Sequence, residues 1–294
     1  MREYLQYFFE EFDFSARDGA ELLRAYDAIC QNEGARAEWE RLMAIYDADC
    51  ACDIAAMRDE AAELVPTIRV HKYTVKLLFF ICLSKRARRY YAEKGLSDAL
   101  WHGAMVDLKY KLEECRDVWG ICGTFVESWF DGFFAIKRFA LGRLQFEVVP
   151  FKRSYEKGGK KLLPDSPVIN VHIPRTGTPL DGESCDKAFS LAANFFKSEL
   201  GDTPTAFVCH SWLLYGANKD ILPQKSNVRA FMERFDLLES HDYGDDHPDL
   251  WRLFDRPFTG DFDRLPYDSS LRRAYVDHLK AGGKSGEGFG VFFY

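Results

Sequence analysis

The chain has 294 residues, 47% of them hydrophobic and 29% charged, which is enough apolar material for one large domain or two modest ones. A formal net charge of −7 argues against a general nucleic-acid-binding protein, because such proteins need a basic surface to displace counterions. The apolar run at 77–83 is too short to cross a bilayer, so an embedded membrane protein is not expected either.

Eight cysteines are scattered along the chain, with no CxxC pair and no zinc-type spacing to histidine. Residues 1–14 contain acidic side chains where a secretory signal would be apolar. We therefore expect a reduced, cytoplasmic protein with no bound metal.

The first part of the sequence is patterned as successive helices. Ser15 and Asp18 form a capping-box-like start, and apolar residues then recur at helical spacing. Further along, Gly95 ends a long helix and Ser97 is a suitable N-cap for the next. The predicted helices are 15–30, 35–48, 53–64, 68–95 and 98–117. An all-helical N-terminal domain is therefore predicted over residues 1–118.

The pattern changes after residue 118. Between 141 and 151, apolar residues such as Phe146 alternate with polar ones such as Glu147, which indicates a half-buried strand. Further strands are predicted at 166–174, 205–214, 249–255 and 287–294, with helices at 183–200, 226–240 and 269–283. The fold class is therefore α+β, and residues 119–294 form a second domain with a mixed sheet flanked by helices.

The loop between the strand at 166–174 and the following helix is a candidate phosphate site. A strand that runs through a loop into a helix directs backbone N–H groups and the positive end of the helix dipole at one point. Arg175 adds charge, Thr176 adds a hydroxyl, and Gly177 permits close backbone approach. The alternative is that the loop only turns the chain, with Asp181 and Glu183 serving to cap the helix.

This order of elements resembles the GNAT acyltransferases: a strand, a phosphate loop, a helix, a strand, and then a helix that opens with Asn227. Four segments resemble, more specifically, a bacterial acyltransferase-like family with a helical N-terminal domain and a GNAT-like C-terminal domain. The segments are LGRLQFE (141–147), VHIPRTGTPL (171–180), CHSWLL (209–214) and SNVRAF (226–231).

The resemblance implies an acyl-CoA co-substrate, acetyl-CoA first among the candidates, bound where the fourth and fifth strands of the sheet splay apart. The loop after the fourth strand would hold the pyrophosphate, and Asn227 would contact the pantetheine arm. The implied cofactor-binding residues are Ile173, Arg175, Thr176, Gly177 and Asn227. Two features depart from the GNAT pattern: the loop glycines are spaced differently, and Arg234 and Phe235 stand near the position of the usual general-acid tyrosine.

Acyl transfer to an amine needs a base for the amine and an acid for the departing thiolate. His172 alternates with Val171 and Ile173, so it faces away from them and is a candidate base; the alternative is a histidine held by a neighbouring element. His210 and Ser211 are further candidates for proton transfer. Because they are adjacent in a strand, they point to opposite faces and cannot form a local dyad.

Three functions therefore remain open. The first is transfer of an acyl group from acyl-CoA to an amine or similar nucleophile, carried by a small-molecule or peptide acceptor. The second is a GNAT-like protein that only binds a ligand or a partner, which the missing tyrosine favours. The third is an unrelated α+β fold in which 174–184 only turns a corner.

The acidic stretch 241–249 is interpreted as a solvated loop in preference to a metal site.

Overall fold

The computed structural model describes all 294 residues and divides into two compact units, residues 1–139 and 140–294. A helical first part followed by a mixed sheet is confirmed. The segment 119–139 lies in the helical unit, whereas the sequence analysis assigned it to the second domain. None of the helices has the length and hydrophobicity of a membrane-spanning segment.

The first unit is built from helices that begin close to the predicted residues. Ser15 caps the second helix, since its hydroxyl accepts a hydrogen bond from the Asp18 amide at 3.1 Å. Ser97 also lies at an N-cap, but its side chain makes no capping bond. The helices are α1 (Arg2–Glu11), α2 (Ala16–Gln31), α3 (Glu33–Ala48), α4 (Ile54–Ala62), α5 (Val65–Ile68), α6 (Lys72–Glu93), α7 (Asp98–Trp119) and α8 (Asp131–Phe134), with a 3₁₀ turn at Glu127–Phe130.

Helix α6 is the centre of this unit. Every side chain from Leu77 to Ser84 is buried, so the helix has no exposed face along two turns. It packs against α1, α2, α3, α4 and α7. A helix that is apolar all round must be enclosed by other helices, which is why its sequence shows a continuous apolar run and not a single stripe.

The second unit is organised around a six-stranded sheet with the strand order β1-β2-β5-β6-β8-β7. The strands are β1 (Arg138–Leu141), β2 (Leu144–Pro150), β5 (Pro167–His172), β6 (Ala206–Ser211), β7 (Asp236–Asp242) and β8 (Gly286–Phe293), and β3 (Tyr155–Lys157) and β4 (Lys160–Leu162) form a separate hairpin. The helices are α9 (Gly182–Phe195), α10 (Lys197–Leu200), α11 (Asn218–Ile221), α12 (Asn227–Met232), α13 (Leu250–Phe254) and α14 (Ser270–Lys280), and 3₁₀ turns lie at Trp212–Leu214 and Phe262–Arg264.

Two predicted elements are wrong. The helix expected at 226–240 stops at Met232, and Asp236–Asp242 forms the edge strand β7. The strand expected at 249–255 is the short helix α13, whose Leu250, Leu253 and Phe254 are buried. Leu250, Leu253 and Phe254 follow the i, i+3, i+4 spacing of a helix, but the apolar segment is so short that its length and composition also fit a strand.

The two faces of the sheet differ in what covers them. On one face, Phe189 of α9 packs against Phe146, Phe207 and Phe292 of three neighbouring strands at ring distances of 6.0, 4.8 and 5.1 Å. We call this the helix-covered face. We call the opposite face the fork face. The strand registers align four residues across it, one from each of β2, β5, β6 and β8: Glu147, Asn170, Val208 and Val291. Within each strand, the residues two positions before and after these four point to the same face.

Candidate active site

The strands β5 and β6 form a fork. They are parallel neighbours, but only two residue pairs join them, Ile169 with Phe207 and Asn170 with Val208. Beyond these pairs β5 stays bonded to β2 as far as His172, and β6 stays bonded to β8 as far as Ser211. The carboxyl ends of the two strands therefore part from each other, in agreement with the splaying that the resemblance implies. Their facing edges can offer backbone groups to an extended ligand.

The β5 arm of the fork carries a histidine paired with a carboxylate. His172 Nε2 lies 2.7 Å from Glu147 Oε1 on β2, and the amide of Asn170 approaches the same nitrogen at 3.1 Å. The His172 and Glu147 side chains are only 19% and 17% exposed, so the pair is partly shielded from water. A carboxylate beside an imidazole orients the ring and stabilises its protonated form. The predicted base therefore has the orienting partner that such a role requires.

The β6 arm carries the other two predicted catalytic residues, on opposite faces. His210 lies on the fork face, and its Nε2 is 3.1 Å from Glu287 Oε1 on β8. Ser211 points to the helix-covered side, and its hydroxyl accepts a hydrogen bond from the Leu213 amide at 3.2 Å, which caps the following 3₁₀ turn. The structure thus brings His172 and His210 to one face and keeps Ser211 apart from them.

The loop after β5 is held in shape by an arginine that sequence reasoning did not single out. Arg143, in the turn between β1 and β2, donates to the carbonyl oxygens of Pro174 and Pro179 at 3.0 and 3.1 Å. These two carbonyls lie near the two ends of the loop, so one side chain fixes its span. The only sequence signal was the position of Arg143 inside LGRLQFE, because contacts across more than thirty residues leave no local pattern.

Within this loop the predicted phosphate-binding residues are exposed or partly exposed. Gly177 has φ +73° and nothing within 4 Å of a Cβ built on it, so the backbone there faces open space. The Thr176 hydroxyl lies 2.7 Å from that of Thr178, and Ile173 is half-buried. Asp181 caps α9 by accepting the Ser184 amide at 2.8 Å, which also lowers the pKa of its carboxyl group. The capping interpretation of Asp181 is therefore right.

The two remaining cofactor candidates are differently placed. Arg175 Nη1 lies 3.3 Å from Asp255 Oδ1, and Asp255 is also bound by Arg272. Its guanidinium is thus engaged by a carboxylate, which a phosphate would have to displace. Asn227 is exposed in the first turn of α12, a helix that packs against α9.

Arg234, near the position where the GNAT pattern has tyrosine, has a structural role. It donates to the Gly182 carbonyl oxygen at 3.1 Å and pairs with Asp186, so it ties the residues after α12 to the first turns of α9. Burial raises the pKa of the Cys185 thiol in the same helix.

The acidic stretch 241–249 does not converge on a metal position. His247 is 4% exposed and its Nδ1 lies 2.8 Å from the Ser285 hydroxyl, while Asp245 pairs with Lys284. His247 and Asp245 are therefore each bound by a protein partner. One close group of metal-type ligands, Asp18, Glu21 and Cys122, lies in the helical unit. Its two carboxylates are each bound at 2.6 Å by Arg116, whose charge occupies the place a cation would take.

A mixed sheet with a fork between parallel strands, followed by a loop and a helix, defines a GNAT-like fold. The chain belongs to the N-acyltransferase family: residues 3–136 match its N-acyltransferase N-terminal domain and residues 139–292 match the GNAT-like C-terminal domain. The family resemblance of the sequence is thereby confirmed, and the protein is an acyltransferase.

Three solved structures share this fold. An acyltransferase in complex with decanoyl-CoA and teicoplanin is 22% identical over 97% of this chain and 86% of its own, with a TM-score of 0.76. An acyltransferase mutant in complex with octanoyl-CoA is 22% identical over 99% and 88%, with a TM-score of 0.78. An acyltransferase in complex with CoA and 10C-teicoplanin has the same identity and a TM-score of 0.76. No curated protein matches the sequence.

Proposed function

We propose that this protein transfers an acyl group from acyl-CoA to an amine on a small-molecule acceptor, with the thioester held in the fork between β5 and β6. The observation that carries the proposal is the fork itself, with the Glu147–His172 pair on one arm. The pantetheine arm contains amide groups, and the parted strand edges can hydrogen-bond to them as a neighbouring strand would. The membership of the N-acyltransferase family supports the same chemistry.

His172 is the proposed base. Its imidazole takes a proton from the acceptor amine as the amine nitrogen attacks the thioester carbonyl, and Glu147 stabilises the imidazolium that forms. The carbon–sulfur bond then breaks, and the CoA thiolate leaves with a proton. His210, on the same face of the other arm, is the proposed source of that proton, because Ser211 faces the helix-covered side. No metal is needed for these steps.

The loop 173–181 is the proposed pyrophosphate site. Backbone groups around Gly177 and the hydroxyl of Thr176 would bind phosphate oxygens. Arg175 would leave its ion pair with Asp255 and bind the phosphate instead. Ile173 would line the entrance to the fork. Asn227 would contact the pantetheine arm. The open space around Gly177 and the fixed span of the loop support this assignment.

The acyl chain and the acceptor are proposed from what the related structures contain. One of those proteins was solved with decanoyl-CoA and teicoplanin, and another, a mutant, with octanoyl-CoA. We propose that this protein uses a medium-chain acyl-CoA in preference to acetyl-CoA, and a small-molecule amine as acceptor.

We also propose a cytoplasmic location for the protein. All eight cysteines are free thiols, which supports a cytoplasmic location.

The test is a calorimetric titration of the full chain with acetyl-, octanoyl- and decanoyl-CoA, followed by an assay of CoA thiol release with a panel of amines. Binding followed by thiol release and an acylated product is the expected result. Binding without release for any amine would favour the non-catalytic alternative, which the missing tyrosine motivates. Absence of binding to every acyl-CoA would contradict the proposal.

A further inference from the structure

The helical unit contains a cavity of about 320 Å³ at the start of α6. Its walls come from α2, from the residues that lead into α6, and from the end of α7. The residues that line it include Glu21, Arg24, Val70, His71, Thr74 and Ile121. All of them lie within residues 1–139, so the cavity belongs to one compact unit.

The walls of this cavity are held in place by contacts between elements. Arg116 of α7 binds the carboxylates of Asp18 and Glu21 on α2, each at 2.6 Å. The segment after α7 is bonded to the first turn of α6, because the Thr124 amide donates to the Tyr73 carbonyl oxygen at 3.0 Å. A ligand that enters a cavity with fixed walls orders few protein groups, so little of its binding free energy is lost.

One side chain in the cavity is polar, buried and without a partner. Thr74 is 3% exposed, yet its hydroxyl makes no hydrogen bond within the protein. A buried hydroxyl without a partner costs free energy, and a ligand atom that bonds to it removes this cost. Because Thr74 lines the cavity, that ligand atom must lie inside it.

The other polar groups of the cavity favour an anion. The Arg24 side chain is exposed and has no ion-pair partner. His71 Nδ1 accepts a hydrogen bond from the Tyr73 amide at 3.1 Å, and a backbone N–H only donates, so the ring hydrogen lies on Nε2 and is a further donor. His71 and Thr74 also belong to the N-terminal end of the 22-residue helix α6, where the helix dipole is positive.

The acidic residue in the wall limits the charge of the ligand. Glu21 is already paired with Arg116, but its carboxylate still repels a second negative charge, so a monoanion is preferred to a phosphate dianion. A carboxylate also matches the planar guanidinium of Arg24, which can donate two parallel hydrogen bonds to it. Val70 and Ile121 supply an apolar wall, which suits a hydrocarbon chain.

We propose that this cavity is a binding site for a short-chain monocarboxylate. The carboxylate accepts hydrogen bonds from Arg24 and Thr74, and its hydrocarbon chain lies against Val70 and Ile121. Every residue that the proposal uses belongs to the helical unit. The proposal therefore does not depend on the proposed acyl transfer.

The first test is a titration of the full chain with hexanoate at pH 7.5, followed by ¹H–¹⁵N spectra. The backbone amide signals of residues 70–74 and 120–121 should shift in a saturable manner. Hexanamide has the chain without the charge, and inorganic phosphate has charge without the chain, so each should bind at least about tenfold more weakly than hexanoate. Shifts confined to other segments, or equal affinity for hexanoate and either control, would overturn the proposal.

The second test removes the two proposed contacts one at a time. Arg24→Gln should weaken hexanoate binding about tenfold, because a charge-assisted contact is lost. Arg36→Gln is the matched control, since Arg36 is an exposed arginine of α3 without an ion pair and does not line the cavity. Thr74→Val keeps the shape of the side chain and should weaken binding about fivefold, whereas Thr203→Val in the second unit should not. Wild-type affinity of Arg24→Gln or of Thr74→Val would overturn the proposal.

The third test repeats the hexanoate titration in the presence of saturating octanoyl-CoA. Unchanged affinity for hexanoate would support a site separate from the fork. Competition between the two ligands would place the carboxylate in the acyl-CoA site and overturn the proposal. If octanoyl-CoA does not bind, the proposed function fails, while the hexanoate titrations still decide the cavity site.

Discussion

His172 and Glu147 are the residues on which the proposed chemistry depends most. Their 2.7 Å contact is partly shielded, and both lie on the fork face. A histidine kept only for packing would need no carboxylate on the adjacent strand. The pairing instead gives the imidazole a fixed orientation and a partner for its charge, which is what a general base requires.

Replacing His172 by Gln should lower kcat by ~10²–10⁴-fold, the range expected for loss of a general base, and leave octanoyl-CoA affinity unchanged. His102→Gln is a suitable control, because His102 is a half-exposed histidine of the helical unit that pairs with Glu11. The measurements are initial rates of thiol release and calorimetric affinity. Full activity of His172→Gln would remove His172 from the mechanism.

His247 makes folding stability depend on pH. It is 4% exposed, and burial lowers the pKa of its imidazole below the ordinary value of 6.5. The folded protein therefore keeps the neutral ring, while the unfolded chain takes up a proton as the pH falls through about 6.5. Stability attributable to this group is fully present above that pH and is lost as the solution becomes more acidic.

The urea concentration at the unfolding midpoint of the wild type should therefore decrease when the pH is lowered from 7.5 to 5.5. The midpoint of His247→Gln should decrease less over the same interval. Urea titrations followed by circular dichroism at both values measure the difference. If the two proteins lose the same stability over this interval, His247 does not titrate as its burial implies.

At the scale of elements, the loop 173–181 and the fork are made by contacts that are distant in sequence. Arg143 fixes the loop through Pro174 and Pro179, and the fork arises where β5 and β6 stop pairing. The alternating and helical patterns predicted most strands and helices correctly. They could not predict these features, because a side chain that crosses to another element leaves no periodicity in its own segment.

Arg143→Met should loosen the loop and weaken octanoyl-CoA binding about tenfold, since two hydrogen bonds to the loop carbonyls are lost. Lys152→Met removes a cation whose only partner is the exposed Asp165 and serves as the control. Isothermal titration of both variants is the measurement. Unchanged affinity of Arg143→Met would show that the loop keeps its shape without the arginine.

Gly177→Val should weaken octanoyl-CoA binding by a larger factor than it lowers stability. Gly177 has φ +73° with open space around it, so the cost of a β-branched residue is backbone strain of roughly 1–2 kcal/mol, and the loop must rearrange. Gly158→Val is matched, because Gly158 has φ +57° and equally open surroundings in the turn between β3 and β4. Both variants should show similar unfolding midpoints, and only Gly177→Val should lose affinity.

An equal loss of affinity in the two glycine variants would mean that strain anywhere in the second unit disturbs binding. Unchanged affinity in both would place the pyrophosphate away from this loop. Either result would contradict the assignment of residues 173–181.

At the scale of the whole molecule, two compact units each contain their own core. The helical unit is built around α6, and the second unit around the sheet and α9. The sequence predicted this division because helical spacing gives way to alternation. The compact units divide after residue 139 and the predicted boundary lies after residue 118, because the segment between them contains mainly short elements, such as a 3₁₀ turn and the four-residue helix α8, that follow neither pattern.

The central claim is that acyl-CoA occupies the fork, and backbone amide hydrogen exchange tests it most directly. The full chain is exchanged with and without saturating octanoyl-CoA. The account predicts slower exchange in peptides that cover 170–180 and 208–211, where the strands part and the loop follows. Protection confined to other segments, in a sample shown to bind octanoyl-CoA, would contradict it.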